Sequence, residues 1–121
     1  MKCSEKECPN EYQSLLGSTV TVTVDRAIGS YHPEHRELYY PVNYGYLDGI
    51  ISGDGEEIDA YILGVDKPIK EFVGRVIAII YRKNDVENKL VVAPEDCEFT
   101  KEQIIALTDF QERYFDITVE T

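Results

Sequence analysis

Four carboxylates fall within six residues, in Asp54-Gly55-Glu56-Glu57-Ile58-Asp59, behind a tyrosine-rich run, Tyr40-Pro41-Val42-Asn43-Tyr44-Gly45-Tyr46. Carboxylates this close repel one another, so they are tolerated either solvated on a turn or neutralised by a cation. Oxygen-only ligands suit a hard cation such as Mg²⁺, which takes one or two carboxylates, keeps several waters and shares phosphate oxygens with a substrate. The stretch predicts a Mg²⁺-phosphate site with Asp54, Glu56 and Asp59 as ligands; the plainer reading is a glycine-centred acidic turn. Glu57 alternates away from Glu56 and is expected to face solvent. Tyr40 and Tyr46 read as core, and Tyr44 as a core ring with its hydroxyl at the rim.

Both histidines, His32 and His35, and two arginines, Arg26 and Arg36, gather between Asp25 and Glu37. A zinc site built from the histidines with Cys3 and Cys8 is disfavoured, because the spacing is loose and zinc needs four ligands in a tetrahedral array. Cys97 reads as a small loop residue.

These residues need elements to hold them. Residues 9–16 read as a short helix stopped by Gly17. Thr19-Val20-Thr21-Val22-Thr23-Val24 alternates strictly and is the clearest strand. Residues 25–37 read as a loop or irregular hairpin. Residues 38–42 predict a second strand that continues over 44–47, with a turn at 48–53. Further strands are expected at 58–63, 75–81 and 89–93, with a polar turn at 83–88. The last element is a helix: Thr100 and Gln103 form a capping box, and Ile104, Leu107, Phe110, Gln111 and Tyr114 trace its inner face. Residues 116–119 add a short strand. About five strands, one good helix and no βαβ rhythm predict a mainly β (α+β) fold, a small barrel closed by the C-terminal helix.

A chain of 121 residues predicts one domain over 1–121, with 1–8 as a mobile tail. The net charge of −11 argues against non-specific nucleic-acid binding, which depends on Lys and Arg. No apolar run reaches the ~18 residues of a membrane span. The N-terminus is too polar for a signal peptide, and three cysteines make an odd set for a disulfide framework. A cytoplasmic location with reduced thiols is expected.

Together, the Tyr40–Tyr46 and Asp54–Asp59 segments resemble the signature of soluble family I inorganic pyrophosphatases, a YPxNYGY run followed by D-G-D-P-x-D. The resemblance extends from Val20 to Tyr114. It implies a five-stranded OB-like barrel with a packed helix, and hydrolysis of pyrophosphate to two phosphates by a Mg²⁺-activated water, with Mn²⁺ as an alternative. It also implies a homo-oligomer, since bacterial members are often hexamers. Matched residue by residue, Asp54 and Asp59 are the outer aspartates of the motif, and Asp59 polarises the attacking water. Tyr44 contacts phosphate or water, and Lys89 and Tyr114 bind phosphate.

Several positions depart from the pattern. Glu56 replaces the middle aspartate, and Phe115 stands where a lysine usually follows the tyrosine. Two further metal carboxylates of the family correspond to Asp85 and Glu87 in a shortened turn, with Asn84 as an alternative for the first. The hairpin that carries a phosphate-binding lysine and arginine is missing after Gly29-Ser30. Arg26, His32 or Arg36 is expected to take over that role. The competing expectation is a catalytically weakened barrel that binds a phosphate compound or a protein partner.

Overall fold

The structure is a computed structural model that describes residues 14–51, 55–83 and 87–121. Residues 9–13 of the helix expected over 9–16, the tail with Cys3 and Cys8, and Asp54, Asn84 and Asp85 lie outside the described residues. Alternating Thr and Val form β1 (Thr19–Arg26), with Val22 fully buried and Thr19 and Thr21 exposed. There follow β2 (Asn43–Ile51), β3 (Glu57–Ile62), β4 (Glu71–Arg82), β5 (Asn88–Ala93), helix α1 (Lys101–Glu112) and β6 (Ile117–Glu120). Neighbours run β1-β2-β3-β5-β4, and β4 pairs back onto β1, so five strands close into a barrel; β6 extends β4. Only β3 and β5 pair in parallel among these described strands. Closure removes the exposed edges that an open sheet would leave. The expected OB-like barrel with a C-terminal helix is the fold observed.

Residues 38–42 do not form the expected strand. Pro41 has no N–H to donate to a ladder, and the neighbouring backbone groups are spent within the loop. Gly29 N donates to Tyr40 O at 2.8 Å, Tyr40 N to Ser30 O at 2.9 Å and His32 N to Leu38 O at 3.0 Å. The segment from Ala27 to Tyr40 is thus an irregular hairpin, with one bridge between Tyr31 and Tyr39. Strand β2 begins at Asn43 and runs on to Ile51, through the expected turn. A register slip between Tyr46 and Ile51 accommodates Gly49, which sits at φ 83°. Strand β4 starts earlier than its apolar run because Glu71 to Arg75 pair with β1.

Period-two alternation sorts β3 and β5 onto two faces. Ile58, Ala60, Ile62, Leu90 and Val92 pack with Val22, Leu47, Val76 and Ile79. Tyr61, Leu63 and Val91 pack with Tyr40, Tyr44, Ala78, Ile80 and Ile104 of α1. Asp59 and Lys89 alternate with Ile58, Ala60 and Leu90, so they lie on the face toward the helix.

The capping box forms as expected: Gln103 N donates to Thr100 Oγ1 at 3.1 Å and Thr100 N to Gln103 Oε1 at 2.8 Å. The buried stripe differs from the expected one. It comprises Ile104, Thr108 and Glu112, one residue per helical turn, whereas Leu107 is exposed and Tyr114 lies beyond the helix end. The stripe follows what stands opposite it: Glu112 faces a buried arginine, Arg82. No helix among the described residues is long and apolar enough to cross a membrane.

Candidate functional site

A cavity of about 510 Å³ opens beside the barrel face that carries Asp59 and Lys89. Its described walls come from three places. The 27–40 hairpin and the end of β1 supply Arg26, His32, His35, Glu37, Leu38 and Tyr40. The barrel supplies Tyr44, Asp59, Arg82, Glu87 and Lys89. The helix end supplies Gln111, Tyr114 and Phe115.

Lys89 is the hub of the barrel wall and is only 2% exposed. It is the partner of Asp59 in the parallel β3–β5 ladder, which brings the two side chains together. Its Nζ donates to Asp59 Oδ2 at 2.7 Å, to Glu87 Oε2 at 2.7 Å and to Tyr44 Oη at 2.8 Å. An ammonium has three protons, so these contacts spend all of them. Tyr44 in turn donates to Asp59 Oδ2 at 2.8 Å. Burial and then the Asp59 charge push the Tyr44 phenol well above its usual range, so it stays a donor.

Glu87 continues the network. Its Oε1 accepts from Arg82 at 3.0 Å, and Arg82 also holds Glu112 through Nε at 3.0 Å and a terminal nitrogen at 2.7 Å. Burial opposes the charge on Arg82, but the hydrogen bonds and charge of Glu112 outweigh it and raise the guanidinium pKa. Tyr61 donates to Glu112 at 2.6 Å, Gln111 donates to Tyr61 at 2.7 Å, and Tyr40 donates to Gln111 at 2.7 Å. An unbroken series of polar contacts therefore runs from Asp59 to Tyr40.

Arg26 owes its place to a bulge. Val24 pairs with Gly45 and Arg26 with Tyr44, which leaves Asp25 as an extra residue in β1. Such bulges re-aim a side chain, and here Arg26 reaches the cavity beside Tyr44. A terminal nitrogen of Arg26 lies 3.4 Å from Asp25, and its buried Nε meets no partner among the described residues. Asp25 is raised by burial, partly offset by Arg26. His32 is lowered by burial and then by Arg26 and His35, whose ring centroid is 4.8 Å away.

Of the site residues expected from the sequence, Asp59, Tyr44, Lys89, Tyr114, Arg26, His32 and Glu87 share this cavity. Arg36 and Glu56 are exposed and outside its lining. Asp54 and Asp85 lie outside the described residues. Among those described, no three His, Cys, Asp or Glu side chains gather into a metal-holding group. Glu57 is exposed, as expected, and receives Gly49 N at 3.3 Å. Tyr40 is core yet also lines the cavity, and Tyr46 is half-buried.

Arg82, Glu112, Tyr61 and Gln111 were not legible as a site. One signal existed for Arg82: it follows Ala78 and Ile80 at the two-residue spacing of a buried strand face. Phe115 lies over that arginine with its ring 3.7 Å from the guanidinium carbon.

No protein-family model matches the chain, and a search of curated proteins found no match. Solved structures do match. The inorganic pyrophosphatase of Ehrlichia chaffeensis superposes with a TM-score of 0.64 at 15% identity, over 87% of this chain and 86% of that one. For the enzyme of Neisseria gonorrhoeae the TM-score is 0.60 at 16% identity, over 85% and 80%. For that of Helicobacter pylori it is 0.58 at 17% identity, over 84% and 82%. The chain has a divergent inorganic pyrophosphatase-like fold. At this identity the likeness concerns the fold, and the chemistry must be argued from the side chains.

Proposed function

We propose that the chain hydrolyses a small phosphoanhydride, with pyrophosphate as the reference substrate, yielding two phosphates. The observation that carries this reading is the convergence of Asp59, Tyr44, Lys89, Arg26 and Tyr114 on one cavity. Arg26, its side chain 21% exposed, binds a phosphate through its guanidinium. Lys89 and Tyr44 fix Asp59 at one oxygen. Asp59, its side chain 27% exposed, orients a water and takes its proton.

The donor set suits a hard cation held jointly with substrate oxygens, because Mg²⁺ needs only one or two carboxylates beside waters and phosphate. Asp59 and Glu87 would hold Mg²⁺ (or Mn²⁺); Asp54 and Asp85 are further candidates of the right chemistry. When bound, the ion lowers the pKa of a water and offsets phosphate charge. The reading places the chain in the cytoplasm as a homo-oligomer, in line with the resemblance.

One observation favours the weaker alternative, a barrel that binds a phosphate compound or partner without turnover. All three protons of Lys89 are already committed to Tyr44, Asp59 and Glu87, so a phosphate that uses Lys89 must displace one of them. Phosphate release from pyrophosphate with Mg²⁺ or Mn²⁺ decides between the two. We expect metal-dependent release that EDTA abolishes and that Asp59→Asn lowers by about 10²–10⁴-fold. No release above background, from a folded protein that binds no Mg²⁺, would sink the enzymatic reading.

A further inference from the structure

The cavity is poorly matched to pyrophosphate alone. Its volume of about 510 Å³ falls among sites that enclose drug-sized ligands, about 300–1,000 Å³. Its described side chains are charge-balanced: Arg26, Arg82 and Lys89 stand against Glu37, Asp59 and Glu87. All three cations meet carboxylates, Arg82 and Lys89 at 2.7–3.0 Å and Arg26 only at 3.4 Å from the partly exposed Asp25. Arg26 is the most loosely held of them, and its Nε has no hydrogen-bond partner among the described residues. The interior thus offers one loosely held cation among the described residues, where pyrophosphate presents charge at both ends. Rings also line the cavity. Tyr114, which is 70% exposed, His32 and Phe115 are among its lining residues. Burial and the nearby Arg26 and His35 lower the His32 pKa, which disfavours its cationic form.

We propose that the preferred ligand is a phosphoanhydride with a flat organic group, a nucleoside diphosphate being the type, with phosphate at Arg26 and the ring system against Tyr114. This rests on the hydrolase reading and specifies its substrate class. Rings stack on aromatic faces with little demand for sequence or shape, and each ring covered removes apolar area from water. In the reaction, the oxygen of water bonds to the terminal phosphorus and the bond from that phosphorus to the bridging oxygen breaks. The electron pair leaves on the organic phosphate, and the proton of water passes to Asp59. The products are inorganic phosphate and an organic monophosphate.

Calorimetric titration with two non-hydrolysable probes, α,β-methylene-ADP and methylenediphosphonate, each with Mg²⁺, tests the proposal. The expected result is at least about tenfold tighter binding of α,β-methylene-ADP. Tyr114→Ala should shrink that ratio by about fivefold or more, and Tyr114→Phe should keep it, because the ring and not the hydroxyl makes the contact. Arg26→Gln should weaken both probes. Equal affinities, a preference for methylenediphosphonate, no binding of either, or equal loss of preference in Tyr114→Phe and Tyr114→Ala would each overturn it. The parent reading fails separately. Phosphate release from pyrophosphate without nucleotide preference removes only the substrate class, whereas preferred nucleotide binding without release from any substrate removes only hydrolysis.

Discussion

Arg82 and Glu112 are both nearly fully buried, and each is the other's principal partner. Burying such a pair costs several kcal/mol per ion in lost hydration, which the mutual attraction and extra hydrogen bonds must offset. Removing one partner therefore costs more than the pair itself contributes. Arg82→Met should destabilise the fold by about 3–5 kcal/mol in urea unfolding, by stranding Glu112. The double variant Arg82→Met with Glu112→Leu should recover most of that loss, because it buries no unpaired charge. Equal destabilisation of the single and double variants would mean that the pair stabilises by more than mutual neutralisation. Lys89 differs in that Asp59 and Glu87 retain solvent contact, so its pairs are partly screened and a deletion there should cost less.

At the level of elements, the site depends on how closely β1 and β2 approach. A Cβ built on Gly45 would lie 1.9 Å from Thr23 O, which is backbone and cannot swing aside. Gly45→Ala should separate the two strands and lower stability by more than about 3 kcal/mol, read from the urea midpoint. It should also disturb the bulge that presents Arg26 next to Tyr44. A stability change under ~1 kcal/mol would show that the strands can shift at little cost. The helix makes a second case. Thr100→Ala removes the side-chain acceptor for Gln103 N and should cost about 1 kcal/mol without touching the cavity. Thermal unfolding measures the cost, and unchanged ligand binding separates it from a site defect.

Across the whole molecule, three buried phenols are shifted in the same direction. Burial, then nearby carboxylates, pushes Tyr44 and Tyr61 well above 10.0, and burial takes Tyr40 up to about 12 despite Arg26. A raised folded pKa means that the native state keeps protons the unfolded chain has lost. The associated stability is fully present below pH 10 and is lost as pH rises through 10 towards 12. Urea unfolding followed from pH 8 to 12 should show that decline, and Tyr40→Phe should make it shallower. A flat profile would remove the buried-phenol account. Sequence by itself settled a good deal at this scale. Strict alternation in β1, the apolar run of β4 and the Thr100–Gln103 box determined those elements, since each signal is local. The resemblance to the pyrophosphatase signature also pointed to Asp59, Tyr44 and Lys89, and the parallel β3–β5 register brings Asp59 and Lys89 together. Strand pairing decided the rest. Arg26 reaches the cavity only through a bulge, and the 38–42 segment bends because Pro41 cannot join a ladder. Glu112 becomes a core residue only because Arg82, thirty residues earlier, ends β4 opposite the last turn of the helix. Those contacts join residues far apart in the chain, and local periodicity carries no information about which distant charge will face which.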